Sequence, residues 1–129
     1  MTETVCILYV DDDADIRSIV EFALEGEEGL TLELCASGQE AVAKAPTLCP
    51  DLILLDVMMP GMDGPTTLQR LRDQAELVAT PVAFVTAKVQ PQEVAHFKSI
   101  GAVDVIAKPF DPMALADQIR DLWMHCRNG

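Results

Sequence analysis

The sequence predicts an α/β fold: an open parallel sheet with helices packed on both faces, three layers in all. Three observations predict it. Strand and helix signals alternate five times along the 129 residues, with no linker or repeat between them. The connections are short, which suits right-handed crossovers between parallel strands. The run Leu52-Ile53-Leu54-Leu55 is apolar at every position, the pattern of a strand covered on both faces.

The first strand covers Thr4–Val10 and runs into Asp11-Asp12-Asp13. A helix follows at Ala14–Glu25, where Ile16, Ile19, Val20, Ala23 and Leu24 recur at the spacing of one helix face. Asp13 and Asp15 read as turn or cap residues, and Gly26 and Gly29 bracket the exit. The second strand is Thr31–Cys35. Ser37-Gly38-Gln39-Glu40 has the capping-box pattern that opens a second helix, predicted to end before Pro46. The third strand is Leu52–Asp56. Gly64-Pro65 opens the third helix, with proline in the first turn, where its missing N–H costs nothing. Leu68 and Leu71 of that helix face inward. The fourth strand, Pro81–Val85, runs into Thr86. A short fourth helix spans Gln92–Ile100, with Val94, Phe97 and Ile100 as its stripe and Gly101 as its stop. The fifth strand, Asp104–Ala107, leads to Lys108. Asp111-Pro112 caps the last helix, whose stripe is Leu115, Ile119, Leu122, Trp123 and Cys126.

Composition narrows the function. The length suits a single domain over residues 1–129. Half of the residues are hydrophobic, and 21 acidic residues against 9 basic ones give a net charge of -12. That balance opposes direct binding to nucleic acid and suits metal ions or a basic or neutral protein partner. No apolar run approaches the ~20 residues that span a bilayer. The start of the chain lacks the pattern of a signal peptide, so a cytoplasmic protein is expected. Cys6, Cys35, Cys49 and Cys126 show no metal-ligand spacing and read as reduced thiols, Cys6 and Cys35 in the core. His96 and His125 lie in helical segments, and neither is assigned a chemical role.

The strand ends carry the chemistry. In open α/β sheets, ligands sit at the carboxyl ends of the strands. Here those ends hold an acid pair, Asp11 and Asp12, then Asp56, a hydroxyl, Thr86, and an ammonium, Lys108. A hard divalent ion such as Mg²⁺ prefers oxygen ligands, and Asp11, Asp12 and Asp56 supply them. Mg²⁺ and Lys108 would balance the mutually repelling carboxylates. Phosphoryl transfer depends on positioning and on neutralising the equatorial oxygens. The ion, Lys108 and the Thr86 hydroxyl would each take one oxygen, which leaves Asp56 as the nucleophile that becomes an aspartyl phosphate.

Taken together, Val10-Asp11-Asp12-Asp13, Asp51-Leu52-Ile53-Leu54-Leu55-Asp56, Met59-Pro60-Gly61-Met62-Asp63-Gly64, Val85-Thr86-Ala87 and Lys108-Pro109-Phe110 make the chain resemble the receiver domain of two-component response regulators. The resemblance covers nearly the whole chain. It implies a flavodoxin-like sheet with strand order 2-1-3-4-5. By position, Asp56 matches the phosphoacceptor, Asp11 and Asp12 the metal-binding acids, and Met58 the residue whose backbone carbonyl completes the Mg²⁺ shell. Thr86 matches the switch hydroxyl, Lys108 the phosphate-pairing lysine, and Ala87 the small residue that leaves room for the phosphodonor. The Lys108-Pro109 bond is expected to be cis. Val105 departs from the pattern, because the family has tyrosine or phenylalanine there. Met58 and Lys88 stand where side chains flank the water that hydrolyses the acyl phosphate. An apolar Met58, and a Lys88 paired with the phosphate or with Asp13, are expected to lengthen the phosphoryl lifetime.

The resemblance further implies a histidine kinase or histidine phosphotransfer protein as donor. It implies output through the fourth helix, fifth strand and fifth helix, and it allows a homodimer through that face. The only chemistry expected is the chain's own phosphorylation and dephosphorylation. Signalling would pass to a downstream protein or to an effector domain beyond Gly129. Two rivals fit less well. A haloacid-dehalogenase-type phosphatase has an acid two residues after its nucleophile, where Met58 stands, and places the pair after the first strand. A flavin module would place phosphate against the repelling Asp11-Asp12-Asp13.

Overall fold

The computed structural model describes residues 4–128 of the chain; the expected domain, 1–129, extends to residues outside that range. Five strands form one parallel sheet: β1 (Val5–Val10), β2 (Leu30–Cys35), β3 (Leu52–Asp56), β4 (Val82–Thr86) and β5 (Asp104–Ala107). Their order is β2-β1-β3-β4-β5, as the resemblance implied. Five helices connect or follow them: α1 (Ala14–Leu24), α2 (Gly38–Leu48), α3 (Gly64–Arg72), α4 (Pro91–Ser99) and α5 (Leu115–Asn128). Among the described residues no helix is long and apolar enough to cross a membrane.

The period of two along each strand divides the core into two apolar layers. Leu8, Val10, Ile53, Leu55, Val82 and Phe84 pack with residues of α2, α3 and α4. Ile7, Tyr9, Leu52, Leu54, Ala83 and Val85 pack with α1 and α5. Cys35, Leu68 and Leu71 are buried as expected, whereas Cys6 is only half-buried. Among the described residues all four cysteines are free thiols. Trp123 packs against the α1–α5 layer, and Cys126, one turn further along α5, packs there too.

The helix caps hold in part. Asp13 caps α1, accepting from the amides of Asp15 (2.9 Å) and Ile16 (3.3 Å). At α2, Ser37 Oγ accepts from the Glu40 amide (3.1 Å), but Glu40 reaches back to the Ala36 amide rather than to that of Ser37. Asp63 caps α3 by accepting from the Thr66 amide at 2.8 Å. Ile19 lies exposed although it belongs to the predicted α1 stripe. The buried line runs through Val20 and Leu24, and Ile19 is about 100° round the helix from Val20. Ile100 is exposed as well, because α4 ends at Ser99 and leaves it at the cap.

Most boundaries fall within one residue of the prediction, and three differences are larger. The last helix starts at Leu115, about one turn after Asp111-Pro112. Asp111 instead closes a turn, its Oδ1 accepting from the Met113 amide and its carbonyl from the Ala114 amide. A 3-10 turn at Ala75–Leu77, absent from the sequence reading, seats the buried Leu77. Helix α2 does not stop before Pro46 but runs through it to Leu48. Proline at 46 removes the N–H that would bond the Val42 carbonyl four residues earlier. The Gln74 side chain replaces it, donating from Nε2 to the Val42 oxygen at 3.1 Å. A long-range contact therefore supplies what the local sequence lacks. Replacing Gln74 by alanine is expected to cost about 1 kcal/mol in urea unfolding. The cost should fall below half of that in a Pro46→Ala background, because that substitution restores the backbone donor.

Candidate functional site

The register of the parallel sheet brings the strand ends to one edge. Val10 pairs with Leu55, Asp56 with Val85, and Thr86 with Ala107. Asp11 and Lys108 follow their strands directly, so four chain segments deliver polar side chains to one cleft. The cleft has a volume of about 330 Å³. Asp11, Asp12, Asp56, Met58, Thr86, Lys88 and Lys108 all line it, with Asp13 and Ala87. Of the candidates named from the sequence, only Val105 lies outside the lining; it is half-buried against the α2–α4 layer. A larger groove of about 840 Å³ between α1 and the edge strand β2 has acids but no basic residue in its lining, and its Glu33 pairs with Lys44 outside it at 3.4 Å. Size therefore does not mark the chemistry here.

The three adjacent acids at the end of β1 have separate fates. Asp11 is fully buried (0% exposed), while Asp12 and Asp13 are exposed. Asp11 Oδ1 accepts from the Asp13 amide at 3.0 Å. Its Oδ2 accepts from the Tyr9 hydroxyl at 3.1 Å and from Lys108 Nζ at 2.9 Å. The Arg17 guanidinium donates to the Asp11 backbone carbonyl at 2.8 Å. Asp56 is 5% exposed, and its Oδ1 accepts from Lys108 Nζ at 3.1 Å. One ammonium thus serves two buried carboxylates.

That shortage of positive charge sets the electrostatics. Burial, then the Asp11 charge, pushes the Asp56 carboxyl up to about 6, against the pull of Lys108. Burial works against the Lys108 ammonium too, but its bonds to Asp11 and Asp56 together outweigh it and raise its pKa. Burial, reinforced by the Asp11 charge, also raises the Tyr9 phenol, which therefore stays a donor at neutral pH.

Oxygen atoms of Asp11, Asp12 and Asp56 come within 4.8 Å of one another. An all-oxygen donor set with excess negative charge fits a hard divalent cation. Met58 is 67% exposed, so its side chain stands outside this carboxylate cluster.

The remaining residues fix the rim. Thr86 is 3% exposed, and its Oγ1 accepts from the Lys88 amide at 3.1 Å. Its carbonyl accepts from the Lys108 amide at 2.9 Å, tying the ends of β4 and β5 together. The Lys108-Pro109 peptide is cis, as the resemblance implied. Among the described residues Lys88 forms no ion pair; of its two expected partners, the phosphate and Asp13, Asp13 is not paired with it here. Gly64 permits the loop after Asp56 to fold back on its own strand. A Cβ there would stand 2.6 Å from the Asp56 carbonyl oxygen and 2.8 Å from Val57 Cα. Tyr9 and Arg17 are the functional neighbours that the sequence reading missed. Tyr9 precedes Asp11 by two positions, and the period of two along a strand was the signal for it.

The sequence matches the response regulator receiver domain over residues 7–120. It is 36% identical to the transcriptional regulatory protein TrcR of Mycobacterium tuberculosis over 116 residues, covering 90% of this chain and 44% of that protein. It is 34% identical to response regulator Rre1 of Synechocystis over 122 residues, covering 95% of this chain and 53% of that protein. The chain thus spans about half the length of these relatives. Among solved structures, chemotaxis response regulator CheY4 of Vibrio cholerae superposes with a TM-score of 0.84 at 33% identity, over 92% of this chain and 98% of that one. The receiver domain of a signal transduction histidine kinase from Syntrophus aciditrophicus superposes with a TM-score of 0.79 at 34% identity, over 95% and 92%. The fold, the strand-end chemistry and these matches lead to one conclusion: this chain belongs to the response regulator receiver domains of two-component signalling.

Proposed function

We propose that the chain works as a Mg²⁺-dependent phosphoacceptor and that Asp56 receives the phosphoryl group. The observation that carries this reading is the Asp56 carboxylate at the carboxyl end of the central strand β3, 3.1 Å from Lys108 and grouped with Asp11 and Asp12. A carboxylate oxygen of Asp56 attacks the phosphorus of a phosphohistidine on a histidine kinase or phosphotransfer protein. The P–O bond forms, the P–N bond breaks, and the departing imidazole takes a proton from solvent. Asp11, Asp12, Asp56 and the Met58 backbone carbonyl would hold Mg²⁺, which supplies charge neutralisation to the phosphoryl oxygens. Lys108 pairs with a second oxygen and the Thr86 hydroxyl with a third. The exposed Ala87 leaves the approach open.

Residues 1–129 act as one receiver domain in this reading. Output runs through α4, β5 and α5 to a downstream protein, an effector domain or a second copy. Exposed Ile100, Val103 and Met113 offer apolar contact there. Valine has no ring to swing, so the response at Val105 is confined to the loop around Thr86 and to α4. Met58 and Lys88 set the phosphoryl lifetime, both standing at the open side of the cleft.

Incubation with a small phosphodonor and Mg²⁺ should add one phosphoryl group by intact mass. The Asp56→Asn variant should gain none, and equal gain by that variant would refute the assignment. A second outcome follows from the raised Asp56 carboxyl. Between about pH 4 and pH 6 the folded chain holds a proton that the unfolded chain has released, so stability falls as pH rises through that window. In EDTA, Asp56→Asn should stabilise the protein on the order of 1 kcal/mol at pH 7.5 and lose that advantage towards pH 4. An equal effect at both pH values in thermal unfolding would contradict it. For the lifetime, Met58→Asn and Lys88→Glu should speed decay of the phosphorylated protein roughly tenfold or more in combination. Unchanged decay in the double variant removes Met58 and Lys88 from that role.

A further inference from the structure

The Asp11 carboxylate has two different donors on one oxygen. Oδ2 accepts from the neutral Tyr9 hydroxyl at 3.1 Å and from the charged Lys108 ammonium at 2.9 Å. Both Tyr9 and Asp11 are fully buried, so bulk water does not replace the bond between them, whereas the Lys108 side chain is 20% exposed. The other anchors of Asp11 lie elsewhere: the Asp13 amide on Oδ1 and the Arg17 guanidinium on the backbone carbonyl.

A divalent cation arriving at Asp11 repels the ammonium but not the phenol. We infer that Tyr9 is a positioning residue that holds Asp11 in place while Lys108 gives up that carboxylate to the metal. The inference rests on the proposed reading of Asp11 as a metal ligand and extends it. Lys108 is then released towards Asp56, where the phosphoryl group arrives. Without the hydroxyl, Lys108 is the only side-chain donor left on Oδ2. Each binding event would then remove that donor and leave the carboxylate held at Oδ1 alone, by the Asp13 amide. Partners that orient ligating carboxylates act in this way on metal affinity.

The test measures Mg²⁺ affinity by isothermal titration calorimetry on the full chain at constant pH, with unfolding in EDTA as a separate readout. Tyr9→Phe keeps the ring and should weaken Mg²⁺ binding about tenfold. Tyr9→Leu, which also removes the ring, should lower stability further yet leave the affinity where Tyr9→Phe sets it. In a Lys108→Met background there is no ammonium to exchange, so Tyr9→Phe should change the affinity by less than about threefold. Unchanged affinity in Tyr9→Phe, or a loss that tracks stability across the two variants, means that Tyr9 only packs and overturns the inference. The same tenfold loss with and without Lys108 overturns the exchange. A wild-type chain that binds no Mg²⁺ overturns the metal-site reading itself, an outcome distinct from binding that ignores Tyr9.

Discussion

The arrangement that the rest of the site depends on is one ammonium shared between two buried carboxylates. Lys108 reaches both Asp11 and Asp56, and Asp12 adds a third negative charge at the mouth of the same cleft. Burial costs a charged group its hydration, and a single partner cannot restore it twice. The imbalance appears as a raised Asp56 carboxyl, and Lys108 is held charged in return. Such a site spends folding stability on readiness for positive charge. A fold that merely satisfied these acids would have paired each with its own cation.

Holding that imbalance requires a scaffold that does not relax. Parallel strands place Asp11, Asp56 and Thr86 at neighbouring positions along one edge, and the two apolar layers lock the register. Gly64 lets the loop after Asp56 close against its own strand, and its amide donates to the Val57 carbonyl at 2.9 Å. The Phe84 ring packs beside that closure and meets Phe97 of α4 edge-on at 5.1 Å. The strand that carries Asp56 is thereby packed continuously to α4. The carboxylates are prevented from drifting apart, which is how repulsion would otherwise be relieved.

The strands were legible because a buried parallel strand is nearly all apolar and ends where a polar residue begins. Leu52–Asp56 and Asp104–Ala107 match to the residue. What escaped was decided by contacts distant in sequence. Pro46 reads as a stop, and only Gln74, 32 positions from the Val42 carbonyl it serves, makes it passable. Asp111 gives the same local signal as Asp63, yet one closes a turn and the other caps a helix. The site was legible as a set of strand ends, whereas the division of labour within Asp11-Asp12-Asp13 was not. Three identical side chains in a row become a buried anchor, an exposed ligand candidate and a helix cap, because the chain turns away from the sheet between them. Tyr9 escaped because an aromatic in a strand reads first as core, and its hydroxyl gains meaning only once Asp11 is placed beside it.

Burial divides the cleft into a fixed half and an open half. Asp11, Asp56 and Thr86 are almost wholly enclosed, and each is tied to neighbouring strands or loops by hydrogen bonds. Asp12, Met58, Ala87 and Lys88 line the same space but are exposed. Substitution in the enclosed half disturbs packing, charge and position together, since an unpaired buried group costs several times an exposed one. Substitution in the open half meets water and leaves the core untouched. The carboxylate geometry is therefore held by residues the fold cannot spare, while residues it can spare face the solvent side of the cleft. In the proposed reading, the phosphoacceptor Asp56 belongs to the enclosed half, while Met58 and Lys88, the residues proposed to set the phosphoryl lifetime, belong to the open one.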